Sequence, residues 1–160
     1  MPKYNITEKK VHPAAYRTMV SPEVMDDLQR KIIQKIIVEK NYRDKDYSAR
    51  QLAKDLGTNT RYISAVVNAR FHKNYTELVN GCRIEEAMSL MVDKRYEKTN
   101  IEDISAMVGF ANRQSFYAAF FRFVGKTPRQ YRLEERRAHP DPAAPKRRGR
   151  KPRQAEEGQQ

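Results

Sequence analysis

The sequence predicts an all-α protein in which a short helix, a tight glycine turn and a second helix occur twice, about fifty residues apart. Three observations predict it. Apolar residues recur at helical spacing from Ser21 onward, each run opens on a capping residue and most close on a turn residue, and the second set of runs keeps register with the first.

Residues 1–20 mix charge, proline and isolated apolar residues without a sustained period, and are expected to form an arm. The first helix starts at Ser21, whose hydroxyl suits the free amides of a helix end, with Pro22 at the first position and Glu23 complementing the positive terminus. Val24, Met25, Leu28, Ile32, Ile33, Ile36 and Ile37 then line a broad apolar face, so residues 21–45 read as a long amphipathic helix, reaching about residue 40, on or before the repeated units.

The repeated part spans residues 46–135. Ser48 and Gln51 form a capping box, Leu52, Ala53 and Leu56 an apolar side, and Gly57 a left-handed stop. Asn59 caps a second helix whose inner face is Tyr62, Ile63, Val66 and Val67. Together these make a helix-turn-helix. Ser48, Leu52, Leu56 and Gly57 correspond to Asn100, Ile104, Val108 and Gly109 at an offset of 52 residues. After one extra residue the offset is 53, and Asn59, Ile63, Val66 and Val67 match Asn112, Phe116, Ala119 and Phe120. Between the copies, residues 74 to about 93 form a longer helix with Leu78, Val79, Cys82, Ala87, Met88 and Met91 on one side, able to hold the units at a fixed spacing. Residues 94–99 are polar and expected to be a loop. Thr127, Pro128 and Gln130 start a terminal helix, and residues 136–160, with no aromatic or bulky aliphatic side chain beyond about Arg137, read as a disordered basic tail.

Composition narrows the function. The 160 residues carry 32 Lys+Arg against 20 Asp+Glu, a net charge of +12, which points to a polyanionic partner. The apolar content suits one core rather than two large ones and excludes a large multidomain enzyme. No apolar run approaches the roughly 18 residues of a membrane span, and the N-terminus lacks a signal-peptide core, so a soluble intracellular protein without membrane contact is expected. Cys82 is the one cysteine, which excludes an internal disulfide or a cysteine-built zinc finger, and it reads as a small core residue. The three histidines lie far apart. Glu85 and Glu86 are consecutive on a helix and diverge by about 100 degrees, so they make no catalytic pair. With no phosphate loop, triad or metal cluster, neither catalysis, cofactor nor metal is expected.

The stretch NYTELVNGCRIEEAMSLM followed by ISAMVGFANRQSFYAAFFRFVGKTPRQYR resembles the DNA-binding domain of AraC/XylS-type transcription regulators. The most specific pieces are Arg83 to Ala87 (RIEEA), Val108-Gly109-Phe110, and Gly125-Lys126-Thr127-Pro128 followed by Tyr131-Arg132; the likeness covers about residues 48–132. Three features depart from the family. His72 stands where glycine usually follows the first reading helix, Val67 replaces a phenylalanine, and nothing of the size of a sensor domain is present.

The resemblance implies that the second helix of each unit enters a major groove of double-stranded DNA with its N-terminal side chains toward the bases. In the first unit Arg61, Ser64 and Ala65 point outward; in the second, Arg113, Gln114, Tyr117 and Ala118 do so, and the family's base-reading positions fall on these residues. Arg61 and Arg113 suit guanine, Gln114 suits adenine, and Ala65 or Tyr117 suit a thymine methyl; the plainer reading of the arginines is phosphate contact. Asn59 and Asn112 read as caps of helix ends that hold phosphates, and Arg70, Lys126 and Arg129 as phosphate contacts or solvated charge. Lys146 to Arg153 holds six basic residues in eight. Within it, Arg147, Arg148, Gly149, Arg150 and Lys151 resemble an AT-hook laid along a narrow minor groove, against the alternative of a general polybasic segment.

The expectation is a sequence-specific regulator of transcription reading successive major-groove faces roughly 34 Å apart, bacterial, cytoplasmic and nucleoid-associated. The resemblance implies activation through RNA polymerase, with a further protein partner at the N-terminal helix. The rivals are an architectural DNA-binding protein of weak sequence preference and a protein-interaction adaptor.

Overall fold

The computed structural model describes residues 20–140, and among them every regular element is helical. The arm up to residue 19 and residues 141–160 of the expected tail, including the AT-hook-like segment, lie outside the described residues, while residues 136–138, expected to begin the disordered tail, form the end of the last helix. Seven α-helices follow one another: α1 (Pro22–Ile33), α2 (Ala49–Asp55), α3 (Thr60–Phe71), α4 (Tyr75–Val92), α5 (Ile101–Met107), α6 (Arg113–Val124) and α7 (Pro128–Ala138).

Each start is a side-chain cap where the sequence places one. Ser21, Ser48, Asn59, Asn74, Asn100, Asn112 and Thr127 all accept a backbone N–H from the residue three positions on. Asn74 with Glu77 and Thr127 with Gln130 close reciprocal boxes. Ser48 and Gln51 make only half of the expected box, because the Gln51 amide donates instead to Asp55 Oδ1 at 2.7 Å.

The long first helix is interrupted. After Ile33 the chain widens into one π-helical turn, Gln34–Val38, and stops at Lys40, which takes a left-handed φ of 56°. The face is therefore narrower than the sequence suggests: Met25, Leu28, Ile32 and Ile36 are buried, Val24 and Ile37 are exposed, and Val38 is 62% exposed. Val20, expected in the arm, is buried against the same cluster.

The buried apolar residues form two small cores, one per unit, and α4 serves both. Leu78 and Val79 join Ile32, Ile36, Leu52, Ile63, Val66 and Val67 in the first; Ile84, Ala87 and Met91 join Ile104, Val108, Phe110, Phe116 and Phe120 in the second. In the second, Phe116 meets Phe110 and Phe120 edge to face at centroid distances of 5.2 and 5.6 Å. Val67, the smaller residue of the first unit, is fully buried.

The repeat extends further than the sequence indicates. A 3₁₀ turn, Asn41–Arg43, precedes α2, and an equivalent turn, Lys94–Tyr96, lies in the expected loop before α5, so the turns begin at residues 41 and 94. Arginines on the helix after each unit reach back to these entries. Arg83 donates to the carbonyls of Tyr42 at 2.6 Å and Asp44 at 3.1 Å; Arg132 donates to Thr99, Tyr96 and Glu97, and Arg136 also to Glu97. These arginines tie the entry carbonyls, part-buried at Tyr42, Tyr96 and Thr99, to the helix after each unit.

The two units meet at α4. Arg83 also sits over the Phe110 ring, 5.5 Å from its centroid, and so bridges the entry of the first unit and the turn of the second. Glu86, one helical turn away, takes Arg43 Nε at 2.9 Å and Lys40 Nζ at 2.9 Å. Gly109 has φ +103°, and a Cβ there would overlap the Tyr42 carbonyl oxygen and lie 2.7 Å from that of Arg43. Gly57, its counterpart, has φ +63° with open space around it. At the end of α3, His72 adopts φ 54° and ψ 33°, the left-handed cap that Gly125 supplies after α6.

Gly57→Ala is expected to cost only the left-handed penalty of about 1 to 2 kcal/mol, whereas Gly109→Ala adds a backbone collision and should cost at least twice as much in a chemical denaturation series. Equal losses would show that the contact between units is not tight.

Burial disfavours the charge on Glu86, but hydrogen bonds from Arg43 and Lys40 outweigh it and hold the carboxyl at about 2 instead of 4.5. A folded-state value below the unfolded one means stabilisation that is complete above the ordinary carboxylate range and is lost as pH falls toward 2. Glu86→Gln should lower neutral-pH stability by about 1 to 3 kcal/mol and flatten its decline in acid; an unchanged acid profile would remove this role.

Candidate nucleic-acid interface

α3 and α6, the helices that the sequence assigns to base reading, are each fixed at the N-terminus by an asparagine. Asn59 Oδ1 accepts from the Tyr62 N–H at 3.0 Å and Asn112 Oδ1 from the Ser115 N–H at 2.9 Å. Each cap consumes the side-chain oxygen and orients the first turn, whose remaining amides and positive dipole end face outward.

Ile63, Val66 and Val67 on α3 and Phe116, Ala119 and Phe120 on α6 are buried, which sets the rotation of both helices. Arg61 and Ser64 are consequently exposed on the first turns of α3, and Arg113, Gln114 and Ala118 on those of α6. Tyr117 is half-buried, packed partly against the second core. Ala65 corrects the sequence reading: it is 2% exposed and has no surface to offer a thymine methyl. α3 packs against α1, α2 and α4, and the short side chain of Ala65, next to the buried Val66, stays within that packed surface. Ala118 on α6 is exposed although α6 also packs against three helices, α4, α5 and α7.

The cations differ in how committed they are. Arg70 is ion-paired with Asp26 of α1 and Lys126 with Glu134 of α7, so both expected phosphate contacts already have an acidic partner. Such exposed pairs are weak and exchange readily with another anion. Arg129 is exposed on the first turn of α7. Arg113 lies 4.8 Å from the centroid of the Tyr117 ring, and its Nε is 3.4 Å from Glu102 Oε1 on α5. Sequence reasoning missed Glu102, although the repeat register carried the signal, since Glu102 falls where Arg50 stands in the first unit.

Other residues are quiet. Cys82 is half-buried, and burial raises its thiol pKa, so it is not activated. Among the described residues no group of His, Cys, Asp and Glu is placed to hold a metal, and no helix is long and apolar enough to cross a membrane.

A family model described as a helix-turn-helix domain matches residues 52–134, just over half of the chain. Uncharacterised HTH-type transcriptional regulators of Staphylococcus aureus, strains MSSA476 and N315 among them, are 30% identical over 87 residues, 54% of this chain. The match spans only 11% of the length of those relatives. Among solved structures, the C-terminal domain of the two-component response regulator yesN from Fusobacterium nucleatum is 27% identical, with TM-score 0.53, covering 65% of this chain and 97% of that one. The C-terminal domain of AraT, a response regulator from Geobacillus stearothermophilus, shares the fold at 24% identity and TM-score 0.57, covering 71% and 86%. A transcriptional regulator from Chromobacterium violaceum, described by its AraC-type DNA-binding domain, does so at 18% and 0.58, covering 72% and 99%.

Ala65 and Ala118 hold equivalent places on α3 and α6 yet differ in burial, and substitution should separate them. Ala65→Leu should overpack the surroundings of α3 and cost about 1 to 3 kcal/mol, while Ala118→Leu on the exposed face of α6 should stay within about 0.5 kcal/mol. Matching thermal shifts in the two variants would overturn the assignment of Ala65 to the interior.

Proposed function

The chain belongs to the AraC-type helix-turn-helix family of DNA-binding transcription regulators, and on that premise we propose that it reads one asymmetric duplex site through α3 and α6 in successive major-groove segments. The observation that carries this reading is the pairing of two reading helices on one shared helix, each with polar side chains exposed on its first turns. Arg61 and Arg113 are suited to guanine, Gln114 to adenine and the rim of Tyr117 to a thymine methyl, with Ser64 and Ala118 permitting close approach.

The helix ends capped by Asn59 and Asn112, together with Arg129 and the exchangeable Arg70 and Lys126, would hold phosphates. The basic segment around Arg148, Gly149 and Arg150 would add phosphate contacts or a minor-groove anchor. Activation through RNA polymerase is the proposed output, within the bacterial cytoplasm at the nucleoid. The apolar surface of Val24, Ile37 and Val38 supports a protein partner at the N-terminal helix.

Selection from a random duplex pool tests the reading. A narrow asymmetric consensus is expected, and the same selection run without residues 141–160 measures the share of the tail. Arg113→Ala and Gln114→Ala should each relax discrimination at particular base pairs and cost about 1 to 3 kcal/mol on the selected duplex. Equal losses on selected and random DNA would remove their base-reading role, and a pool without enrichment would favour the architectural alternative.

A further inference from the structure

The two units differ at one corner where the repeat makes them comparable. Glu102 is the second residue of α5 and Arg113 the first of α6; the same places in the first unit hold Arg50 and Thr60. The cation has moved from the reading helix to the supporting helix, and its charge is answered in one unit only. Among the described residues Arg50 is exposed and has no ion pair, while Arg113 faces Glu102.

The geometry around Arg113 is that of a presented side chain. Tyr117, one turn further along α6, has its ring centroid 4.8 Å from the guanidinium, and Glu102 Oε1 lies at ion-pair distance, 3.4 Å, from Nε at the base of the fork, the Arg113 and Glu102 side chains both being exposed. Its two terminal nitrogens have no hydrogen bond among the described residues, so the end-on pair of donors remains open. A guanine edge matches that pair. A phosphate, by contrast, must approach with its own negative charge beside the Glu102 carboxylate, and like charges brought together are disfavoured.

We propose that Glu102 is a specificity-determining residue of the second unit: it positions Arg113 for a base edge and repels phosphate, leaving the unanswered Arg50 corner of the first unit to supply sequence-blind attraction. This rests on the reading of α6 as a base-reading helix.

The full chain, titrated against the duplex recovered from the random pool and against a shuffled duplex of the same composition, tests it. Glu102→Gln should tighten binding to the shuffled duplex by on the order of three- to fivefold and change the selected duplex by less than about twofold, narrowing the ratio between them. The slope of log affinity against log salt on shuffled DNA should steepen by about 0.9, because the variant neutralises one more phosphate. Glu102→Asp should restore most of the ratio. Asp103→Asn removes a charge from the same helix end without touching Arg113, and should leave the ratio as it is. An equal effect of Asp103→Asn and Glu102→Gln, or parallel changes on both duplexes, overturns the proposal and makes Glu102 general surface charge. If the wild-type chain itself recovers no preferred sequence, the base-reading function fails first, and that result is visible before any variant is made.

Discussion

The separation of α3 and α6 depends on a small set of polar contacts along one face of α4. Arg83 and Glu86 sit three residues apart, so both point toward the entry of the first unit. Arg83 takes the carbonyls of Tyr42 and Asp44 and lies over Phe110 of the second unit, while Glu86 collects Lys40 and Arg43. Apolar packing alone would leave the two cores, each sharing α4 with the other, free to pivot about that helix, because dispersion forces have no preferred direction. Directional bonds to backbone carbonyls remove that freedom. Gly109 completes the junction by letting the turn of the second unit lie against the backbone of Tyr42 and Arg43.

The same device recurs within each unit, which explains why helices of only seven residues, α2 and α5, persist. Helices this short are not stable alone. Each begins at a side-chain cap that follows an entry turn tied down by arginine from the helix after its unit, α4 or α7. Arg83 and Arg136 are 53 residues apart, as are their acceptors Asp44 and Glu97, so the clamp keeps the register of the reading helices. Arg132 adds three carbonyl bonds in the second unit but leaves its buried Nε without a partner.

Caps and apolar spacing are local properties of the chain, and these were legible: the N-caps from Ser21 to Thr127 and the burial of Ile63, Val66, Phe116 and Phe120 follow from sequence pattern alone. What the sequence did not disclose depends on contacts far apart in the chain. The π-helical turn at Gln34–Val38 has no breaker residue to announce it, since QKIIV is an ordinary helical string. Ala65 reads as outward from helical phase but is 2% exposed, while its repeat counterpart Ala118 is exposed, a difference set by tertiary packing that helical phase does not carry. RIEEA was legible as a signature, but the part played by Arg83 and Glu86 emerges only when Tyr42, Asp44 and Phe110 are brought to them. At the interface the same limit applies: exposure of Arg113 and Gln114 follows from helical phase, whereas the approach of Glu102 depends on the angle between α5 and α6.

The net charge of the whole chain also conceals how the cations are used. A value of +12 suggests a uniformly attractive surface, yet around α6 and α7 the cations Arg113, Arg122 and Lys126 each face a carboxylate, from Glu102, Glu77 and Glu134. A cation paired this way contributes little to long-range attraction, because its field is cancelled within a few ångströms, but it is released at small cost when a better-matched partner arrives. The energy available from such a contact is then conditional on geometry rather than on charge alone. Arg50 and Arg61 in the first unit and Arg129 on α7 have no such partner among the described residues, while Arg43 and Arg70 face Glu86 and Asp26. On the proposed reading, rigid coupling through α4 would present α6 at one defined distance from α3 along a duplex, with Glu102 holding Arg113 while its terminal nitrogens meet a base edge.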